Sequence, residues 1–182
     1  FAPGDESFAC WSPDGEYVLY KSLQEGTYRI MQQPVEGQGG AAILLESERD
    51  LAPWSVSPVD GTLLLDYVRE DGKYEIRKLP LSAEGGEMTT LVGSPDIDMG
   101  GGIYSPDGRW VAYHANSASA WDVFVIPASG GPRKWQVTTY GSAYPKWNAD
   151  GTELWVSRFS GDLRAYAVDG SGDTFRIGNY TD

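Results

Sequence analysis

The chain has 182 residues, and with 41% apolar and 13% aromatic content it carries enough apolar material to bury a core and too much for a disordered segment. Lys and Arg number 14 against 26 Asp and Glu, a formal net charge of −12 that repels polyanions. No basic cluster interleaved with aromatics opposes it, so nucleic acid is not an expected partner. The single cysteine, Cys10, excludes an internal disulfide, and no run of about 18 apolar residues is present to form a transmembrane helix in this stretch.

The chain opens at Phe1 without an initiator methionine, from which a processed, truncated or excised product is expected. Its first strand-like run is Phe8 to Trp11, followed by the turn Ser12-Pro13-Asp14-Gly15, the run Tyr17-Val18-Leu19-Tyr20 and the run Tyr28-Arg29-Ile30-Met31, closed by Pro34. Gly39-Gly40 then leads to an outer strand, Ala41 to Leu45. The same order returns from Pro53 to Val56: Ser57-Pro58-Val59-Asp60-Gly61, Leu63-Leu64-Leu65, Tyr74-Glu75-Ile76-Arg77, Pro80, Gly85-Gly86 and Met88 to Val92. It returns again from Gly101 to Tyr104: Ser105-Pro106-Asp107-Gly108, Trp110 to Tyr113, Trp121 to Phe124, Pro127, Gly130-Gly131 and Lys134 to Thr138. The fourth copy runs from Tyr144 to Trp147 through Asn148-Ala149-Asp150-Gly151, Leu154 to Val156, Leu163 to Tyr166, Gly170 and Thr174 to Ile177.

The turn glycines Gly15, Gly61, Gly108 and Gly151 recur roughly every 45 residues, the period of a propeller blade. The runs after these turns are apolar at consecutive positions, so each strand must be covered on both faces, as stacked blades would cover it. No segment shows a sustained helical period with caps. The expected fold is all-β: a β-propeller of four four-stranded antiparallel blades, spanning approximately 6–47, 51–92, 100–139 and 143–179. Three closures are compatible with four blades: a small closed ring, an eight-bladed ring made by two chains as a homodimer, or a fragment of a larger propeller. An open arc would expose two apolar blade faces, so closure or dimerisation is expected for the isolated chain.

Trp11-Ser12-Pro13-Asp14-Gly15 with its aliphatic-aromatic strand resembles the TolB-like, WD-repeat-like propeller family, and the resemblance extends over all four repeats. Tyr104 to Tyr113, Lys134 to Thr138 and Asp150 to Leu154 resemble the propeller at the C-terminal end of bacterial eukaryotic-like serine/threonine kinases. Similar propellers accompany winged-helix regulators and prolyl-oligopeptidase-type peptidases. The resemblance implies a non-catalytic sensor, docking surface or gate that binds a protein or small ligand. In the kinases such a domain lies beyond a membrane span, which implies a periplasmic or extracytoplasmic setting. Neither the kinase signature set nor the Gly-x-Ser-x-Gly elbow is present, so any active domain is expected outside this chain.

Within the chain no catalytic constellation, cofactor or metal site is expected. His114, the one histidine, follows the second strand of the third repeat and reads as a strand-end structural residue; one His and one Cys in different repeats cannot make a familiar zinc cluster. Asp14, Asp60, Asp107 and Asp150 are turn formers. Asp96-Ile97-Asp98-Met99-Gly100 offers oxygen ligands but fails the twelve-residue calcium-loop pattern. Gly37 to Ala42 matches Gly-x-Gly-x-x-Ala yet has no helix after it. Most aromatics recur at equivalent strand positions and read as packing between blades. The exceptions lie on the loops leading into the blades: Trp54 near Glu48, Arg49 and Asp50, Asp96 and Asp98 in the third repeat, and Tyr140 and Tyr144 in the fourth. Those loops should gather around the axis, and their residues are the candidate ligand-binding set. The alternative reading is an accessory propeller of a prolyl-oligopeptidase-type peptidase, or a hydrolase or lyase with its site on the propeller face.

Overall fold

The computed structural model describes residues 4–36, 39–81, 86–117, 120–139 and 141–181. Blade 1 is β1 (Asp5–Trp11), β2 (Tyr17–Gln24), β3 (Thr27–Pro34) and β4 (Ala42–Ser47). Blade 2 is β5 (Leu51–Val56), β6 (Thr62–Val68), β7 (Tyr74–Pro80) and β8 (Thr89–Val92). Blade 3 is β9 (Met99–Tyr104), β10 (Trp110–Ser117), β11 (Ala120–Pro127) and β12 (Trp135–Gln136), and blade 4 is β13 (Ser142–Trp147), β14 (Glu153–Arg158), β15 (Leu163–Asp169) and β16 (Arg176–Thr181). Each blade is an antiparallel meander whose strands pair in chain order, and no helix occurs among the described residues. This is the all-β, four-blade architecture that the repeat implies.

Two-sided burial is what holds the blades together. Leu63, Leu64 and Leu65 of β6 are all fully buried, yet successive side chains leave a strand on opposite faces. Leu63 and Leu65 join Cys10, Leu19, Ile30 and Leu51 in the core between blades 1 and 2. Leu64 joins Ile76, Met99, Val111, Tyr113 and Phe124 in the core between blades 2 and 3. β10 divides its residues the same way, with Val111 and Tyr113 facing blade 2 and Trp110 and Ala112 facing Leu154, Val156 and Phe175 of blade 4. Burying one such leucine contributes roughly 1.5–3 kcal/mol, so each core of eight or more buried residues outweighs any single surface contact. Cys10 belongs to this packing; burial pushes its thiol up to about 12, which leaves it inert at neutral pH.

The turns explain the recurring Ser-Pro-Asp-Gly. In blade 1 the Asp14 carboxylate accepts the Ser12 hydroxyl (2.5 Å) and the Glu16 N–H (3.0 Å), while Ser12 Oγ accepts the Tyr17 N–H (2.9 Å). Gly15 takes φ of 74°, which glycine adopts without a Cβ clash. Ser105, Asp107 and Gly108 repeat this in blade 3. Blade 4 lacks the serine, and the Asn148 side-chain oxygen takes its place by accepting the Glu153 N–H at 2.9 Å. All four aspartates are thus turn residues by geometry, with Asp60 and Asp150 accepting the N–H of Thr62 and Thr152.

All four outer strands differ from the expected runs, β4 (Ala42–Ser47) and β8 (Thr89–Val92) by one or two residues at an end, and the other two for identifiable reasons. β12 is only Trp135–Gln136 rather than Lys134 to Thr138, because the Thr138 hydroxyl accepts the Val123 N–H (2.9 Å) where a ladder bond would continue. β16 starts at Arg176 rather than Thr174, since Phe175 turns its ring into the blade 3–4 core against Trp110 and Trp147.

Three inter-blade cores exist among the described residues, and no fourth joins blade 4 to blade 1. The blades therefore form an arc, and the small closed ring is not formed. Its ends expose Trp11 on blade 1 and Trp155 and Leu163 on blade 4. The isolated chain is expected to self-associate through these faces or to bind a hydrophobic dye. A light-scattering mass of one chain, with no dye binding, would contradict both the exposed arc and the dimer.

Candidate functional site

The innermost strands β1, β5, β9 and β13 converge, and each is interrupted by a bulge at the same level. The irregularities fall between Ser7 and Ala9, between Pro53 and Ser55, opposite Ala112 and His114, and between Ala143 and Lys146. A bulge leaves a residue out of the ladder and re-aims its side chain. Phe8, Gly101 and Tyr144 each stand three residues before the end of their strand, and each has positive φ: 51°, 67° and 53°. For Phe8 and Tyr144 that conformation costs about 1–2 kcal/mol, a strain that the surrounding sheets must hold in place.

The bulges bring rings from four blades together. The Phe8 and Trp54 centroids are 5.7 Å apart, and Tyr144 lies 6.3 Å from Trp54 at an interplanar angle of 28°. The His114 imidazole meets Tyr144 at 5.0 Å and Trp121 at 5.2 Å, both edge-on. Between them is a cleft of about 200 Å³, also bordered by Lys21, Asp50, Ala52, Asp66, Tyr74, Met99 and Gly100. In blade 3 the bulge position is glycine because the imidazole fills the place of a side chain: a Cβ on Gly101 would lie 2.4 Å from His114 Cε1.

Asp66 is the buried acid of the site. Its carboxylate accepts the Trp54 indole N–H at 2.6 Å and the Gly101 N–H at 3.0 Å. Burial nevertheless pushes it up to about 7, against the opposing pull of those two donors, with the nearby Asp50 charge adding to the rise. Burial lowers His114 to about 4, so its ring is neutral at pH 7, and its Nδ1 accepts the Tyr144 N–H at 3.4 Å. At the rim, Lys21 is paired with Asp50, and the Tyr74 hydroxyl donates to the other Asp50 oxygen at 3.4 Å. The Lys21 ammonium also lies over the Phe8 and Tyr28 rings, at 5.5 and 5.1 Å from their centroids.

Of the residues singled out from the sequence, Asp50, Trp54 and Tyr144 line this cleft. Glu48 is exposed and does not border it, and Arg49 turns outward to pair with Glu70 at 3.1 Å. Asp98 accepts the Tyr74 N–H at 2.8 Å and the Asp96 carbonyl accepts the Lys73 ammonium at 2.7 Å, so this loop clasps the β6–β7 hairpin rather than facing a ligand. Tyr140 lies outside the described residues. His114 is not at a strand end: it sits inside β10, buried, because the Gly100–Gly102 run of β9 leaves room for its ring. Phe8, Asp66 and Trp121 were not among the sequence candidates. Asp66 had a signal, a carboxylate following Leu63-Leu64-Leu65 in a strand buried on both sides.

No protein-family model and no curated sequence matches the chain. Solved structures match it in fold. TolB from Acinetobacter baumannii superposes with a TM-score of 0.73 at 19% identity, over 96% of this chain and 43% of TolB. An oligogalacturonate lyase in complex with manganese gives 0.64 at 19% identity, over 100% of this chain and 55% of the lyase. Prolyl oligopeptidase B from Galerina marginata gives 0.66 at 12% identity, over 94% of this chain and 26% of the peptidase. The chain is thus a TolB-like β-propeller in architecture, and it spans less than half the length of the TolB it resembles. Among its described residues no three His, Cys, Asp or Glu side chains are grouped to hold a metal ion.

Two predictions follow from Asp66, His114 and Gly101. Unfolded, Asp66 ionises near 3.8 and His114 near 6.5. Asp66, with its folded value raised, stabilises the fold only while protonated, and that contribution is lost as pH rises from about 4 to about 7. His114, with its folded value lowered, makes the fold lose stability as pH falls from about 6.5 to about 4. Across this window each state holds one proton on the pair, the folded state on Asp66 and the unfolded state on His114, so the two slopes cancel. In urea titrations between about pH 4.5 and 6.5, Asp66→Asn is expected to lose stability towards acid relative to wild type. His114→Phe is expected to lose it towards neutrality, each by up to about 1.4 kcal/mol per pH unit. Parallel pH profiles in all three proteins would refute the assignment. Gly101→Ala, which combines positive φ with a clash against the imidazole, is expected to lower stability by about 1–3 kcal/mol in the same assay.

Proposed function

We propose that this chain is a non-catalytic β-propeller binding module that holds a small ligand or a protein segment in the axial cleft. The observation that supports this most is the convergence of Phe8, Trp54, His114 and Tyr144 from four different blades, two of them on strained backbone, around one opening. Strain of this kind persists where the surrounding structure over-determines it, and it clusters at binding sites. A larger bacterial signalling protein as the setting, with the module in an extracytoplasmic position, rests on the kinase-type resemblance of the repeats. An accessory role beside a peptidase domain is the alternative, supported by the likeness in fold to prolyl oligopeptidase B. The sequence on either side of this segment in its gene distinguishes the two.

Catalysis in the cleft itself has little to work with. Among the described residues no serine, threonine or cysteine borders it, and His114 is a weak base whose Nδ1 is already engaged.

The binding reading is tested by ¹⁹F NMR of protein labelled with 5-fluorotryptophan, titrated with neutral, cationic and anionic water-soluble fragments. Signals are assigned by single Trp→Phe variants. Saturable shifts confined to Trp54 and Trp121 are expected for at least one charge class. Fragments that move only the exposed Trp11 and Trp155, or none at all, would remove the cleft as a binding site.

A further inference from the structure

The charges and hydrogen bonds around the cleft narrow what it can hold, and the inference rests on the binding reading above. Five charged or titratable groups besides Asp66 face it: Asp50 and Tyr74 from blade 2, Lys21 from blade 1, His114 from blade 3 and Tyr144 from blade 4. Lys21 is the one cation among them, and Asp50 already neutralises it. An anionic ligand would therefore meet no free positive charge, and it would meet Asp66 as well.

A neutral polyhydroxy ligand needs several uncommitted donors and acceptors around it, and most of those here are engaged. The Trp54 indole N–H and the Gly101 N–H donate to Asp66, the His114 Nδ1 accepts the Tyr144 N–H, and the Tyr74 hydroxyl donates to Asp50. The Trp121 indole N–H, the Tyr144 hydroxyl, the aromatic faces and the outer lone pairs of the Asp66 carboxylate are left. A ring face is negative in its quadrupole, so rings whose centroids stand 5.0–6.5 Å from one another, in a cleft also bordered by Asp66, favour a cation that needs no hydrogen bonds of its own.

We infer that the cleft formed by Phe8, Trp54, Trp121 and Tyr144 over Asp66 is a site for an alkylated ammonium group, carried by a small organic cation or by an N-methylated side chain. A primary amine fits less well, since it would ask for three acceptors and Asp66 is the one carboxylate of the cleft not already paired with a cation. The overall charge of −12 adds a favourable long-range field.

The labelled protein tests this at pH 8 with three probes: choline, its neutral isostere 3,3-dimethyl-1-butanol, and N-acetyl-trimethyllysine amide. Choline or the trimethyllysine derivative is expected to shift the Trp54 and Trp121 signals saturably, at least about tenfold more tightly than the isostere. The tighter of the two cations identifies the source of the head group. Asp66→Asn, close to isosteric, is expected to erase most of the preference for charge while leaving the isostere's affinity in place. Equal affinity for choline and its isostere overturns the cation site and leaves the binding module standing. So does a charge preference that survives Asp66→Asn. The absence of saturable shifts at Trp54 and Trp121 with every probe and fragment removes the cation site and the binding reading together.

Discussion

The structure depends on strands that are greasy on both sides. Because Leu63 and Leu65 leave β6 towards one neighbour and Leu64 towards the other, a blade cannot satisfy its own apolar surface and must be sandwiched. Sandwiching sheets that all twist with one hand fans them about a common axis and drives their first strands together. The site is a by-product of that crowding. Where four strand ends meet, regular pairing yields to bulges, and the displaced residues have nowhere to point except the shared opening.

Burial then decides the electrostatics of the opening. Asp66 and His114 flank the same glycine, and both are taken out of water, so each is pushed towards its uncharged form at neutral pH. Trp54 and Gly101 keep Asp66 near its midpoint instead of far above it, which leaves the carboxylate able to ionise when a positive partner arrives. A fully solvated acid at this place would already be charged and screened, and it would discriminate less.

The repeat was legible because Ser-Pro-Asp-Gly is local: the hydroxyl, carboxylate and glycine of one turn satisfy one another within six residues, and such chemistry can be read along the chain. Asp50, Trp54 and Tyr144 were legible for a related reason, since they break the repeat's own pattern where the chain enters a blade, although Trp54 and Tyr144 lie within the innermost strands β5 and β13 rather than on loops. Phe8 was hidden because its position resembles the opening of an ordinary strand, and the bulge that turns its ring is a matter of register between β1 and β2. His114 and Trp121 were hidden by their company: each sits in a strand whose neighbours are core residues, and the gap that admits the imidazole is made by glycines of a different strand. Asp96 and Asp98 misled in the opposite direction. Their oxygens look available in one dimension, but the β6–β7 hairpin folds back upon them.

Phe8 and Tyr144 belong to the two end blades, which share no core, yet both rings lean on Trp54 between them. The gap at the axis therefore works like a pair of calipers whose jaws are the first and last sheets and whose pivot is an indole. Whatever spreads or narrows the arc at its far edges, whether additional blades or a second chain, sets the distance between those jaws, so the width of the opening is governed from the rim.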